Sequence, residues 1–303
     1  MKLIFMGTPD FAVPILEALN NKYEVLAVIS QPNRAKKRGV LLETPVSEYA
    51  KNHNIKLFQP EKINTIIDEL TSLGADTLIT AAYGQYLPSK LLNQFKFKIN
   101  VHGSLLPKYR GGAPIQRAIL NGESKTGVTI MEMAKKLDAG KIYAKREYEI
   151  LPNDNSTTVF EHLSLIGRDL LLDTIEDIYN ERNLGTPQDE ALATYSPNLL
   201  PEEEKIDINS TTKEIINKIH AFAMEIGSYL EINGTKLKIY EAHEVEAKNQ
   251  EAGTVIDIKK QIIIKTRDSA ISLDLVQLPG KKIISGKDFS NGQKILNIGQ
   301  IIR

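Results

Sequence analysis

Leu3-Ile4-Phe5-Met6-Gly7-Thr8-Pro9-Asp10-Phe11-Ala12-Val13-Pro14-Ile15-Leu16 carries a short apolar run, Leu3–Met6, into a Gly-Thr-Pro-Asp turn. Past the turn, Phe11, Ile15, Leu16 and Leu19 recur at the spacing of one helix face. This pattern predicts a buried strand, a tight turn and an amphipathic helix. Thr8 or Asp10 is the expected cap, with Pro9 near the first turn. Gly7-Thr8-Pro9 has neither the Lys-Ser/Thr of a P-loop nor the spacing of a GxGxxG fingerprint, so the turn gives no support for nucleotide binding. Glu24–Ser30 (EVLAVIS) follows as a second buried strand.

The alternation continues outward from that unit. Pro45–Asn52 and Glu61–Leu73 read as helices, and Asp76–Ala81 and Phe97–His102 as strands. Ala113–Leu120 reads as a helix and Gly127–Met133 as a strand, Ile142–Leu151 as extended chain, and Thr157–Tyr179 as a long amphipathic helix. Strands separated by helices imply an α/β domain on a mainly parallel, Rossmann-like sheet with right-handed crossovers. Ligands in such sheets sit beyond the carboxyl ends of the strands. Asn183–Glu204 breaks the rhythm with three prolines and three consecutive glutamates, and is expected to link two domains, 1–182 and 205–303. Beyond it, Lys213–Phe222 reads as a helix capped from Ser210-Thr211-Thr212. Short β runs follow, among them a hairpin turning at Asn233-Gly234 between Tyr229–Ile232 and Lys236–Tyr240. Gly253–Ile258, Gln261–Thr266 and Ala270–Leu278 continue the series. Ile271, Leu273 and Leu275 are expected on one buried face. The sum is a small OB-like β-barrel.

The 303 residues carry 38 basic and 38 acidic side chains and no cysteine. A uniformly basic nucleic-acid coat, a disulfide framework, a thiol nucleophile and a Cys-ligated zinc site are excluded. His53, His102, His162, His220 and His243 are scattered, and no pair has metal-ligand spacing, so no metal is expected. The apolar run at the N-terminus is too short for a signal segment and no window suits a membrane span, so a cytoplasmic protein away from membranes is expected.

The densest polar constellation is Asn100-Val101-His102-Gly103-Ser104. Residues i and i+2 of a strand share a face, so Asn100 and His102 project together at a carboxyl end. Leu137-Asp138-Ala139-Gly140 follows the next strand, and Asp138 is expected in the next turn at the same end of the sheet. An amide, an imidazole and a carboxylate suit proton-assisted transfer through an oxyanion without metal or covalent nucleophile. Read singly, the histidine is a capped or core residue and Asp138 a turn residue.

Met6–Pro14 (MGTPDFAVP) resembles the opening of the methionyl-tRNA formyltransferases. Asn100–Arg117 (NVHGSLLPKYRGGAPIQR), with Gly127-Val128-Thr129 and Leu137–Gly140, resembles the folate-dependent formyltransferase core. The likeness runs through Tyr195-Ser196-Pro197 and Asp288–Gly292. It implies transfer of a formyl group from 10-formyltetrahydrofolate to the α-amine of methionine carried on charged initiator tRNA. In that reading Asn100 and His102 stabilise the oxyanion, and Asp138 supports His102 and helps remove the amine proton. Ser104, Leu105, Leu106 and Pro107 contact tetrahydrofolate, and a monomer is expected.

Gln31–Gly39 holds the cations Arg34, Lys36, Lys37 and Arg38 and no acid. The resemblance makes it a loop entering the tRNA acceptor end, although Ala35-Lys36-Lys37 stands where the family usually has a Pro-Ala-Gly run. The other reading of such a run is a solvated loop. Lys259–Arg303 has nine basic residues against three acids, a surplus suited to the phosphate backbone. The family's usual Pro-Trp-Pro-Gly-Ala run is replaced by Ala223–Tyr229 (AMEIGSY), so different packing is expected there. Formyltransferases acting on a nucleotide sugar or on glycinamide ribonucleotide, and a formyltetrahydrofolate hydrolase, would share the Asn-His-Asp set. A catalytically silent RNA-binding protein would have no use for it.

Overall fold

The computed structural model describes residues 1–35, 41–247, 249–292 and 295–302, without the side chains of 34, 35, 41, 224 and 225. They form two compact units: Met1–Pro114 with Lys125–Glu149 and Phe160–Pro197, and Ile115–Ser124 with Ile150–Val159 and Asn198–Arg303.

The first unit is built on β1 (Lys2–Gly7), β2 (Glu24–Ile29), β5 (Leu57–Phe58), β6 (Thr77–Ala81), β7 (Phe97–His102), β8 (Lys125–Glu132) and β9 (Ile142–Glu149), a short ladder of β3 (Arg34–Ala35) and β4 (Leu41–Leu42) standing apart. The seven-stranded sheet has the order β5-β2-β1-β6-β7-β8-β9. Pairings from β5 to β7 are parallel. Those of β7 with β8 and of β8 with β9 are antiparallel. Central position explains the continuous apolar run of β1, where Leu3, Ile4, Phe5 and Met6 are fully buried. Each such side chain contributes roughly 1.5–3 kcal/mol by leaving water.

The helices are α1 (Val13–Lys22), α2 (Pro45–Asn52), α3 (Ile67–Ser72), α4 (Ser89–Leu92), α5 (Pro114–Leu120) and α6 (Ser156–Tyr179). Ile15, Leu16 and Leu19 bury one face of α1 as the spacing predicts. Its start differs from expectation. A 3-10 turn, Asp10–Ala12, precedes it and neither Thr8 nor Asp10 caps it. Thr8 instead donates its hydroxyl to the Tyr83 carbonyl at 2.9 Å, tying the β1 turn to the turn after β6. The helix expected over 61–73 is a 3-10 turn, Ile63–Ile66, followed by the shorter α3. α6 is fastened by Ser164 Oγ donating to the Phe11 carbonyl at 2.8 Å and by Tyr179 tilted against Phe97, with ring centroids 5.1 Å apart.

The second unit takes in most of α5 and the start of α6 and then α7 (Thr212–Ile226), capped by a reciprocal box in which Thr211 accepts from the Glu214 amide and Glu214 accepts from the Thr211 amide. β10 (Ser228–Ile232) and β11 (Thr235–Val245) form the expected hairpin. Both turn residues have positive φ, 50° at Asn233 and 75° at Gly234, as the tight hairpin turn demands. β12 (Val255–Asp257), β13 (Ile262–Lys265), β14 (Ala270–Gln277) and β15 (Ile284–Ser285), before α8 (Gly286–Gly292), complete an antiparallel sheet. Its order is β10-β11-β14-β13-β12, with β15 on β14, consistent with a small barrel. The alternation along β14 breaks: Ile271 and Leu273 are buried, but Val276 takes the next core position in place of Leu275. The register of β11 against β14 slips between Ile239 and Ala242, and a bulge there moves the buried face by one residue. In the AMEIGSY region, a Cβ on Gly227 would lie 2.8 Å from the Tyr240 ring, and Tyr229 is buried beneath the Lys236 ammonium.

Candidate functional site

Asn100 and His102 lie two residues apart near the carboxyl end of β7, on one strand face. Parallel neighbours bring Thr80 of β6 opposite Asn100. The Thr80 hydroxyl donates to Asn100 Oδ1 at 2.7 Å, which turns the Asn100 NH2 group away from it.

His102 is buried. Its Nε2 lies 2.9 Å from the Tyr109 carbonyl. A carbonyl only accepts, so Nε2 carries the hydrogen and Nδ1 is the nitrogen turned toward Asp138. Nδ1 and Asp138 Oδ2 are 3.8 Å apart, with side-chain exposures of only 7% and 12%. That is too long for a direct hydrogen bond and short enough for a strong charge interaction whenever the ring is protonated. The same carboxylate oxygen accepts from the Gly111 amide at 2.8 Å.

The route of Asp138 to this place corrects the sequence reading. β8 is antiparallel to β7, with Glu132 opposite Ile99 and Thr129 opposite His102. Its carboxyl end therefore faces the amino half of β7, and residues 133–141 must fold back to bring Asp138 to His102. Strain accompanies this: Asp138 has φ 48° and Tyr109 φ 61°. Non-glycine residues held there cost roughly 1–3 kcal/mol each and cluster at functional sites. Gly111, at φ 126°, is required as glycine, since a Cβ would stand 2.7 Å from the Ser196 carbonyl.

Ser104–Pro107 runs directly on from β7. Ser104 and Leu106 are buried and Leu105 and Pro107 half-buried. Ser104 Oγ donates to the Lys108 carbonyl at 2.7 Å. Thr129 takes a bond from the Leu106 amide at 3.1 Å and gives one to the Ser104 carbonyl at 2.7 Å. Lys145 reaches the Leu106 carbonyl at 2.9 Å. The segment is thus a braced loop beside His102.

Several participants escaped the sequence reading. Thr80, Tyr109, Gly111 and Thr129 act through a hydroxyl or the main chain, which no side-chain pattern reveals. The segment expected as a linker is the larger omission. Thr194 accepts from the Tyr109 amide at 2.9 Å, and Ser196 donates to the Tyr109 carbonyl at 3.0 Å. Gln188 donates to the carbonyls of Asp138 and Gly140, each at 2.8 Å. The Arg110 side chain is fully buried and bonds to both Gln188 and Glu190. Arg110 and Lys136 together hold the Glu190 carboxyl down at about 2.

Of the expected tRNA-loop cations, Arg34 has its backbone in the β3–β4 ladder, paired with Leu42, and Lys36, Lys37 and Arg38 lie outside the described residues. In the C-terminal basic region Lys259, Lys260, Arg267, Lys281, Lys282 and Lys287 are exposed. Lys265 is not part of that surface: it is buried, with Nζ on the carbonyls of Thr266 and Ser269. Among the described residues no helix is long and apolar enough to cross a membrane, and no group of three or more His, Cys, Asp or Glu side chains could hold a metal ion.

Residues 1–175 match the formyl transferase family model, and 198–294 match the model of the formyl transferase C-terminal domain. A methionyl-tRNA formyltransferase of Streptococcus pyogenes is 46% identical over 308 residues, covering 100% of this chain and 99% of the relative. The N-formyltransferase of Helicobacter canadensis, solved with folinic acid and dTDP-3-aminofucose, superposes with a TM-score of 0.70 at 24% identity, covering 90% of this chain and 98% of the other. HypX of Aquifex aeolicus, solved with tetrahydrofolic acid, superposes with a TM-score of 0.67 at 17% identity, covering 95% of this chain and 46% of the other. At such identities the two solved structures establish a shared fold.

Proposed function

The chain belongs to the formyl transferase family, and from that premise we propose that it moves the formyl group of 10-formyltetrahydrofolate onto the α-amine of methionine carried by initiator tRNA. The observation that carries the reading is the 46% identity to a methionyl-tRNA formyltransferase across the whole length, both domains included. The site chemistry agrees. With Nε2 held by the Tyr109 carbonyl, Nδ1 of His102 is the nitrogen left to meet the formyl oxygen, and it donates there when the ring is protonated. The Asn100 NH2 group, oriented by Thr80, is the second donor on the same strand face.

The neutral amine attacks the formyl carbon, and charge collects on the formyl oxygen between those donors. The amine loses a proton, the bond from carbon to folate nitrogen breaks, and that nitrogen takes up a proton. Asp138, 3.8 Å from His102, would stabilise positive charge on the ring and is the base assigned to the amine proton, directly or through one water. Ser104–Pro107, braced by Thr129 and Lys145, forms one wall for the folate.

Catalysis is assigned to the first unit, which takes in residues 183–197 as well as most of 1–182, and tRNA contact to 205–303 and to Arg34, Lys36, Lys37 and Arg38. The exposed lysines of the C-terminal region fit phosphate contact. We take the protein to act as a monomer in the cytoplasm, where charged tRNA and reduced folate occur together. The test is formyl transfer from 10-formyltetrahydrofolate to charged initiator tRNA, with charged elongator tRNA as control. Preference for the initiator is expected. Donor consumption that proceeds equally without tRNA would assign a hydrolase instead.

A further inference from the structure

We infer that Gln188 is a positioning residue for formyl transfer, its carboxamide holding the Asp138 turn where the carboxylate faces His102. The inference rests on the roles proposed above for His102 and Asp138.

All four hydrogen-bonding positions of this amide are used. Both hydrogens of Nε2 go to main-chain carbonyls of the Asp138 turn, Asp138 and Gly140, each at 2.8 Å. Both lone pairs of Oε1 are taken by Arg110, from Nε at 3.1 Å and Nη2 at 2.8 Å. A flipped amide would set oxygen against two carbonyls and NH2 against a guanidinium, so the partners admit one orientation. Arg110 cannot drift, because its side chain is fully buried and its Nη1 and Nη2 also reach Glu190 at 3.2 and 2.9 Å. Glu190 is held in turn by Lys136. The charge on Arg110 polarises the Gln188 amide and strengthens its donation.

The turn needs such a clamp. Asp138 sits at φ 48°, a left-handed conformation that costs an aspartate more than a glycine and that outside contacts help to hold. Residues 133–141 also run back against the direction of β8 to reach His102. Two outside contacts fix the aspartate: Gly111 N–H on the carboxylate and Gln188 on its carbonyl. The first acts on the side chain, and the second sets the main chain from which it projects. A role limited to fastening residues 186–197 would leave the donors of Gln188 free to bond any carbonyl of the chain. Here both fall on the turn carrying the carboxylate.

Gln188→Glu decides the question. It keeps the side-chain shape and the Arg110 contact but replaces two donors with an acceptor facing two carbonyls. Steady-state kcat and KM for 10-formyltetrahydrofolate and charged initiator tRNA, with Tm, are measured for wild type, Gln188→Glu, Gln188→Ala, Asp138→Asn and the Asp138→Asn double variants. A misplaced catalytic group predicts a kcat loss of ~10–100-fold for both Gln188 variants with both KM values within about twofold. A residue acting only through the carboxylate predicts less than about a further twofold loss on the Asp138→Asn background. Equal losses on both backgrounds, or a kcat that falls only in step with the folded fraction, would overturn the inference while leaving Asp138 in place. Wild-type kcat for Asp138→Asn would remove the site reading and this inference with it.

Discussion

Asp138→Asn changes one charge and almost no shape. The carboxylate stands 3.8 Å from His102 Nδ1, and both side chains are nearly buried. At an effective dielectric of about 20, unit charges at that separation interact with about 4 kcal/mol, or roughly a thousandfold in rate if the ring bears a full charge in the transition state. Partial charge lowers this to ~10²-fold, so a kcat loss of ~10²–10³ is expected. Stability is expected to move little, because the asparagine oxygen still accepts the Gly111 amide that now bonds Asp138 at 2.8 Å. The assay is single-turnover formyl transfer to charged initiator tRNA at saturating donor, with Tm recorded alongside. A variant within about threefold of wild type at unchanged Tm would refute the electrostatic pairing, because a pair this close and this buried cannot be silent.

Thr80→Val removes the hydroxyl that orients Asn100 and keeps the side-chain shape. One hydrogen bond of about 1–1.5 kcal/mol predicts a kcat loss of ~10-fold, and unchanged kcat would show that Asn100 needs no such support. Glu190→Gln reports on the Arg110 cluster. The folded pKa near 2 lies below the usual carboxylate value of 4.5, so this stabilisation is complete above pH 4.5 and fades as pH falls toward 2. The Tm difference from wild type should shrink across that window, and a constant difference would show that charge is not its source. Raising salt from about 50 to about 200 mM should weaken tRNA binding steeply and folate binding little. Equal salt slopes for the two ligands would remove the basic tRNA surface.

Periodicity made much of the fold legible. The apolar run Leu3–Met6, the helix face of Ile15, Leu16 and Leu19 and the Asn233-Gly234 turn all stand where local rules place them, because local interactions decide them. Direction was not legible: nothing in residues 125–132 states that β8 runs against β7, since pairing sense is set by long-range packing. The buried Val276 in place of Leu275 escaped for the same reason, as a bulge depends on the partner strand. At the site, Asn100, His102 and Asp138 were visible as chemistry-bearing side chains. Tyr109 and Gly111 act through main-chain atoms, and Gln188 lies in a proline-containing stretch whose composition reads as linker.

The proposed chemistry requires the bound formyl group to lie between His102 and Asn100. A crystal structure with a stable formyl-folate analogue measures this directly. The formyl oxygen should sit within about 3.2 Å of both His102 Nδ1 and the Asn100 NH2 group, with Asp138 beside the formyl carbon. A formyl group seated away from these residues, with His102 and Asp138 contacting only protein, would contradict it.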